Sequence, residues 1–196
     1  SSESMVLNGN VTGFSVTNNY VHDNDNIGID FIGFEGVCPT VSLDQARNGV
    51  CTDNLVVDID SITNPAYGGG RSADGIYVDG GRDIVIERNT CIRCNIGVEI
   101  ASEHKGKATS YITVRGNFVI GSHTYGIAMG GYDTNRGSTS NCKILNNSLY
   151  NNGTDEGSDI EVQFDTTDNV IKNNVIYGNG LGYFIHNPYT QNTNNV

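Results

Sequence analysis

One recurring pattern constrains this chain more than anything else in it. An Asn or Asp followed two positions later by an apolar residue appears in FSVTNNYVHDN, LVVDIDSITN, IVIERNTCIRC, ITVRGNFVIGS, CKILNNSLYNN and NVIKNNVIYGN. The anchors Asn19, Asp60, Asn89, Asn117, Asn147 and Asn174 recur about every 27 to 30 residues, after a longer first interval of about 41. Each anchor is followed by a second apolar segment: GIDFIGF, GIYVDGG, GVEIASE, GIAMGGY, DIEVQFD and GYFIHNP. A repeat this short cannot bury its own apolar face, so the units must stack into a solenoid.

Within the segments apolar and polar residues alternate with period two, the signature of strands. No amphipathic helix joins them, as a doubly wound parallel sheet would require, and each repeat is too short for a four-stranded propeller blade. The expected fold is all-β, a right-handed parallel β-helix of about six turns forming one domain over 1–196, with an insertion at 33–54 in the first turn. Like strands on successive turns then lie about 4.8 Å apart, giving a rod of about 30 Å. Ile29, Phe31, Ile76, Val78, Val98, Ile100, Ile127, Met129, Ile160 and Val162 should face the core, with Val21, Ile62, Cys91, Val119, Leu149 and Ile176 beside the anchors. The anchor side chains should form an internal hydrogen-bonded ladder. Most second segments open on Gly, where backbone must bend or approach a neighbouring turn closely. Neither the first ten residues nor the tail QNTNNV reads as an end cap, which predicts a piece of a longer protein.

A formal charge of −11 opposes nucleic acid and anionic membranes as partners. No apolar run approaches a membrane span, and SSESMVLNGN is not a signal peptide; the expected location is extracellular, with any export signal already removed. Cys38 and Cys51 bracket the insertion, which predicts a disulfide in an oxidising compartment. Cys91 and Cys142 fall on inward columns as small core residues.

The second strands should present alternate residues to solvent. Asp30, Tyr77, Glu99, Ala128, Glu161 and Phe184 form one outward column, and Ile32, Asp79, Ala101, Gly130, Gln163 and His186 form a second. Carboxylates on adjacent parallel strands lie about 5 Å apart, close enough to share a cation or raise each other's pKa. Asp30 and Asp79 are therefore candidate calcium ligands. Glu99, Glu103, His104 and Lys105 are the candidate catalytic groups. Tyr77 and Tyr132 offer rings for a sugar to stack on, and Arg82 a cation for its substituents.

This architecture resembles the pectate lyase-like superfamily of right-handed parallel β-helices. Residues 56–81, VVDIDSITNPAYGGGRSADGIYVDGG, are similar to the turn and A-D-G strand that carry calcium ligands in family 9 pectate lyases. That resemblance implies Asp74, with Asp79, as metal ligands. GIDFIGFEG and ASEH also look like segments of secreted bacterial β-helix repeat proteins. No lysine falls on the outward strand, where such a lyase carries its base. The expected function is a secreted lyase or glycoside hydrolase acting on a polysaccharide or oligosaccharide, with an acidic polysaccharide as the expected substrate. In the lyase version calcium on Asp30, Asp79 and Glu99 would acidify the proton that Lys105 or His104 removes. In the hydrolase version Glu99 and Glu103 would divide the acid and base roles. The alternative is a non-catalytic glycan-binding or structural module.

Overall fold

The computed structural model describes residues 2–155, 157–178 and 180–196. The chain winds as a parallel β-helix with three sheets. The front sheet is built from Met5–Asn8, Ile29–Ile32, Asp74–Asp79, Ile96–Ala101, Tyr125–Met129, Ser158–Val162 and Tyr183–His186. A back sheet runs through Arg47–Thr52 and Arg82–Glu87, and a third sheet from Tyr20–Asn24 to Val175–Tyr177. Met5–Asn8 pairs with Ile29–Ile32, so the front sheet starts one rung earlier than the repeats suggest.

Corners between the back and third sheets follow one rule. The residue before each ladder Asn is left-handed: Asn18, Asp53, Arg88, Gly116, Asn146 and Asn173, with φ between 53° and 61°. Asn, Asp and Gly tolerate that conformation, and it turns the chain sharply between two strands. The following Asn then points inward. The ladder runs Asn19, Asn54, Asn89, Asn117, Asn147, Asn174, each Nδ2 donating to the next Oδ1 at 2.8–3.0 Å.

Asn54, not Asp60, is therefore the second anchor. The Asp60 register also misplaced Ile62, which is 43% exposed, while Val56 occupies its core position. Asp60 instead caps the short 3-10 turn Ser61–Thr63 by accepting from the Ile62 amide. The expected insertion is corrected with it. Arg47–Thr52 is a regular back-sheet strand, so the first excursion ends before it, and a second excursion fills residues 60–73.

The front-sheet inward residues are as expected, Ile29 through Val162 all being buried. Glycine opens these strands for a steric reason. A Cβ on Gly28, Gly75, Gly97 or Gly126 would sit 2.5–2.7 Å from a carbonyl oxygen of the next turn. In the last turn Glu161 stacks on His186, so His186 and not Phe184 continues the outward column.

The Cys38–Cys51 bridge is also corrected. Cys51 points into the core with no exposed surface and bonds Asn54, while Cys38 lies on the outer loop; all five cysteines are free. Cys91, Cys94 and Cys142 are buried core residues.

Two outcomes follow from this packing. Asn117→Ala removes an acceptor for the Asn89 amide and side chain and a donor to the Ile86 carbonyl, stranding buried groups. Urea unfolding should show a loss of about 2–3 kcal/mol. Alkylation of the native protein, read by mass spectrometry, should modify Cys38 alone, with the other four reacting only after unfolding.

Candidate active site

The outward side chains of the front sheet are not solvated, contrary to expectation. Asp30, Asp74, Tyr77, Asp79, Glu99 and Glu161 are all buried, each 6% exposed or less. Loops cover them. The 60–73 excursion lays Tyr67 and Arg71 over the sheet, and the segments after Ala101 and Met129 bring in Glu103 and Tyr132. The result is a cleft of about 400 Å³ lined also by Ile27, Ile96, Tyr125 and Gln163.

On its floor Asp74 and Glu99 come from adjacent turns, and burial and the surrounding negative charge oppose the ionisation of both. Burial raises both, and each one's negative surroundings add to it. Glu99 rises to about 7 by burial, with Glu103 and Asp79 contributing, and Asp74 is held well up by burial and the Glu99 charge. Gln163, with its amide turned to suit its neighbours, donates to Glu99 Oε1 at 3.2 Å and to the Gly130 carbonyl at 3.0 Å. Asp74 Oδ1 is buried without a hydrogen-bond partner, as is Asp30 Oδ1. Asp30 is likewise raised, by burial first and then by Asp79. Burial pushes Tyr125 up to about 12 and also raises Tyr77 well above the ordinary phenol value, so both rings stay neutral phenols.

Asp79 lies beside this floor. Its Oδ1 accepts from the Glu103 amide at 2.7 Å, and burial lifts its carboxyl to about 7. With Glu35 and His104 it makes a cluster whose potential ligand atoms lie within 4.8 Å of one another, His104 Nε2 meeting Glu35 Oε1 at 2.9 Å. Among the described residues this is the only such trio. Asp30 and Asp74 do not join Asp79 in a shared donor set, so the expected calcium site does not fit the residues as placed. His104 belongs to this cluster and not to the cleft.

The structure separates the other candidates. Glu99, Glu103, Asp74, Tyr77 and Tyr132 share the cleft. Lys105 is exposed and is not part of the lining. Arg82 lies on the back sheet, paired with Asp83 at 2.5 Å. Tyr125, just before the Gly126 that opens its strand, is a ring the sequence offers for sugar stacking, and it lines the cleft. Tyr67 and Arg71 also line it and carried no sequence signal. Tyr67 and Arg71 lie in aperiodic sequence.

Several arginines are committed elsewhere. Arg88 and Arg115 bond Glu87, Arg88 also bonds Asp53, and Arg93 bonds Asp58 on the outer faces. In the cleft, Arg71 reaches Asp155 at 2.8 Å and Asp60 at 3.3 Å. Among the described residues no helix is long and apolar enough to cross a membrane.

A stacked parallel coil with a loop-covered acidic cleft on one sheet defines the class of protein. A family model described as a right handed beta helix region matches residues 72–196, and the chain belongs to that family. It is 45% identical over 197 residues to a Bacillus subtilis (strain 168) protein described as the uncharacterized protein YwoF, a match covering all of this chain and 42% of that protein. No solved structure matches the chain.

The cleft has a pH signature. A carboxyl whose pKa is higher folded than unfolded holds its proton more tightly in the folded state. Stability then falls as pH rises from the ordinary carboxyl range near about 4 to the folded value. Glu99 and Asp79, both lifted to about 7, place that window between about pH 4 and 7. Thermal melts should give a higher Tm at pH 5 than at pH 8, and Glu99→Gln should raise the pH 8 value and flatten the dependence. A Tm that climbs between those pH values would contradict the burial of these carboxyls as charged-state penalties.

Proposed function

We propose that the front-sheet cleft hydrolyses glycosidic bonds in a polysaccharide or oligosaccharide. The observation that carries this reading is Asp74 and Glu99, two buried carboxyls lining one tyrosine-rich cleft, where burial and neighbouring negative charge oppose ionisation. Carboxyls raised in this way keep an acid in its protonated form near neutral pH. That acid can protonate the oxygen of the departing sugar. Glu103 lines the same cleft from an exposed loop and can take the proton of the water that adds to the anomeric carbon. Tyr77, Tyr125 and Tyr132 provide rings and hydroxyls for sugar faces.

Hydrolysis is supported over elimination because a uronate lyase needs a strong base and charge neutralisation at the carboxylate. Here Lys105 is outside the lining and Arg71 is already bonded to two aspartates. An extracellular place of action goes with a polysaccharide substrate. The second reading, a glycan-binding module without turnover, uses the same rings and cleft.

A panel of neutral, amino and uronate glycans, assayed for new reducing ends and unsaturated product, separates these readings. Hydrolysis should appear as reducing ends without unsaturation. Glu99→Gln and Asp74→Asn should each lower the rate by roughly 10²-fold or more while the protein stays folded. Unsaturated product would instead establish a lyase, and binding without product from any glycan would establish the module.

A further inference from the structure

The cleft is charged in a way that its own protein does not balance. Asp74, Glu99 and Glu103 line it, and Asp30 lies on the neighbouring turn in register with Tyr77. Arg71 is the single Lys or Arg side chain in the lining, and both its bonds go to Asp155 and Asp60, away from these carboxyls. Elsewhere the same chain neutralises its acids carefully: Asp53, Asp58 and Glu87 each bond an arginine from an adjacent turn or position. The floor also keeps an unused acceptor, since Asp74 is 2% exposed and its Oδ1 has no partner.

From this geometry we infer that the cleft selects glycans carrying free amino groups, the de-N-acetylated hexosamines. The inference rests on the reading of the cleft as a glycan site and names the substrate class. A sugar ammonium supplies the missing positive charge and up to three donors for Asp74 Oδ1 and the carboxyls around it. Tyr67, Tyr77, Tyr125 and Tyr132 line the same space, and aromatic faces attract cations as well as sugar rings. A uronate would add like charge to carboxyls that already repel ionisation. An N-acetylated sugar would bring a neutral amide and leave the floor uncompensated.

Calorimetric titration of the intact chain at pH 6 tests the inference with three probes: a glucosamine hexamer, its fully N-acetylated counterpart and a galacturonic acid hexamer. The run is made in about 0.5 M salt, where screening acts over about 4 Å and attraction to the general negative surface is suppressed. The amino hexamer should bind at least about tenfold tighter than the N-acetylated one, a difference of about 1.4 kcal/mol. The uronate should not bind. The Asp74→Asn, Glu99→Gln double variant, checked for folding by circular dichroism, should lose the amino preference. Equal affinities, or a preference that survives the double variant, would overturn the inference. Cleavage of N-acetylated or neutral glycan with no amino preference sinks the inference and leaves the hydrolase reading standing. Amino-selective binding with no product from any glycan does the reverse.

Discussion

Parallel strands on successive turns offer nearly the same backbone bonding in several registers, so sheets alone do not stop one turn from slipping along the next. The buried amide ladder supplies that constraint. Each Asn from Asn54 to Asn147 accepts from the turn below through backbone and side chain, and donates to the turn above. A shift of one residue would break all of these bonds at once inside a core without water. The left-handed residue before each Asn brings the side chain to the same inward position every time. The alignment of Tyr77 between Asp30 and Glu99 is inherited from that corner.

The cleft departs from the economy of the rest of the coil. Many buried groups elsewhere are paired: Thr109 and Thr139 bond carbonyls, and Asn152 bonds both Asp159 and the Val119 carbonyl. On the front sheet Asp30, Asp74, Asp79 and Glu99 are buried with few donors, and the like charge of their neighbours opposes their ionisation. Buried like charges cost stability unless protons or a ligand neutralise them. Such local conflict with the surrounding design is where function is expected to reside.

How legible this was in the sequence can be followed residue by residue. Strand alternation gave the inward residues Ile76, Val78, Val98 and Ile100 because period two admits only two faces, and one is the core. The second anchor was misread because Asp60-Ser61-Ile62 and Asn54-Leu55-Val56 share the same spacing. The residue before the anchor distinguishes them, since Asp53 tolerates a left-handed corner and the β-branched Ile59 does not. Tyr77 and Glu99 were legible because stacked turns bring equivalent positions together, Glu103 because it follows that strand directly, and Asp74 only through the resemblance of residues 56–81. Their burial was not legible. It depends on loops whose paths no periodicity dictates, so an outward column was taken for a solvated one. Cys51 was misassigned for a related reason: once the strand Arg47–Thr52 is placed, alternation turns its thiol inward and away from Cys38.

The division between periodic and aperiodic sequence also explains how one coil can host a particular chemistry. The repeats determine a rigid floor on which carboxyls appear at fixed intervals, since any outward position of a front strand stacks on its neighbours. What turns this floor into a site is the sequence that interrupts the repeats. Tyr67 and Arg71 come from the 60–73 excursion, Glu103 from the loop after Ala101 and Tyr132 from the loop after Met129. Removing water from above Asp74 and Glu99 is what raises their pKa values, so the loops set the protonation of groups they do not themselves supply. Chemistry on this scaffold is thus a product of two independent parts. Changing the loops can alter acidity and substrate choice without disturbing the amide ladder, whereas changing a ladder residue would disturb both.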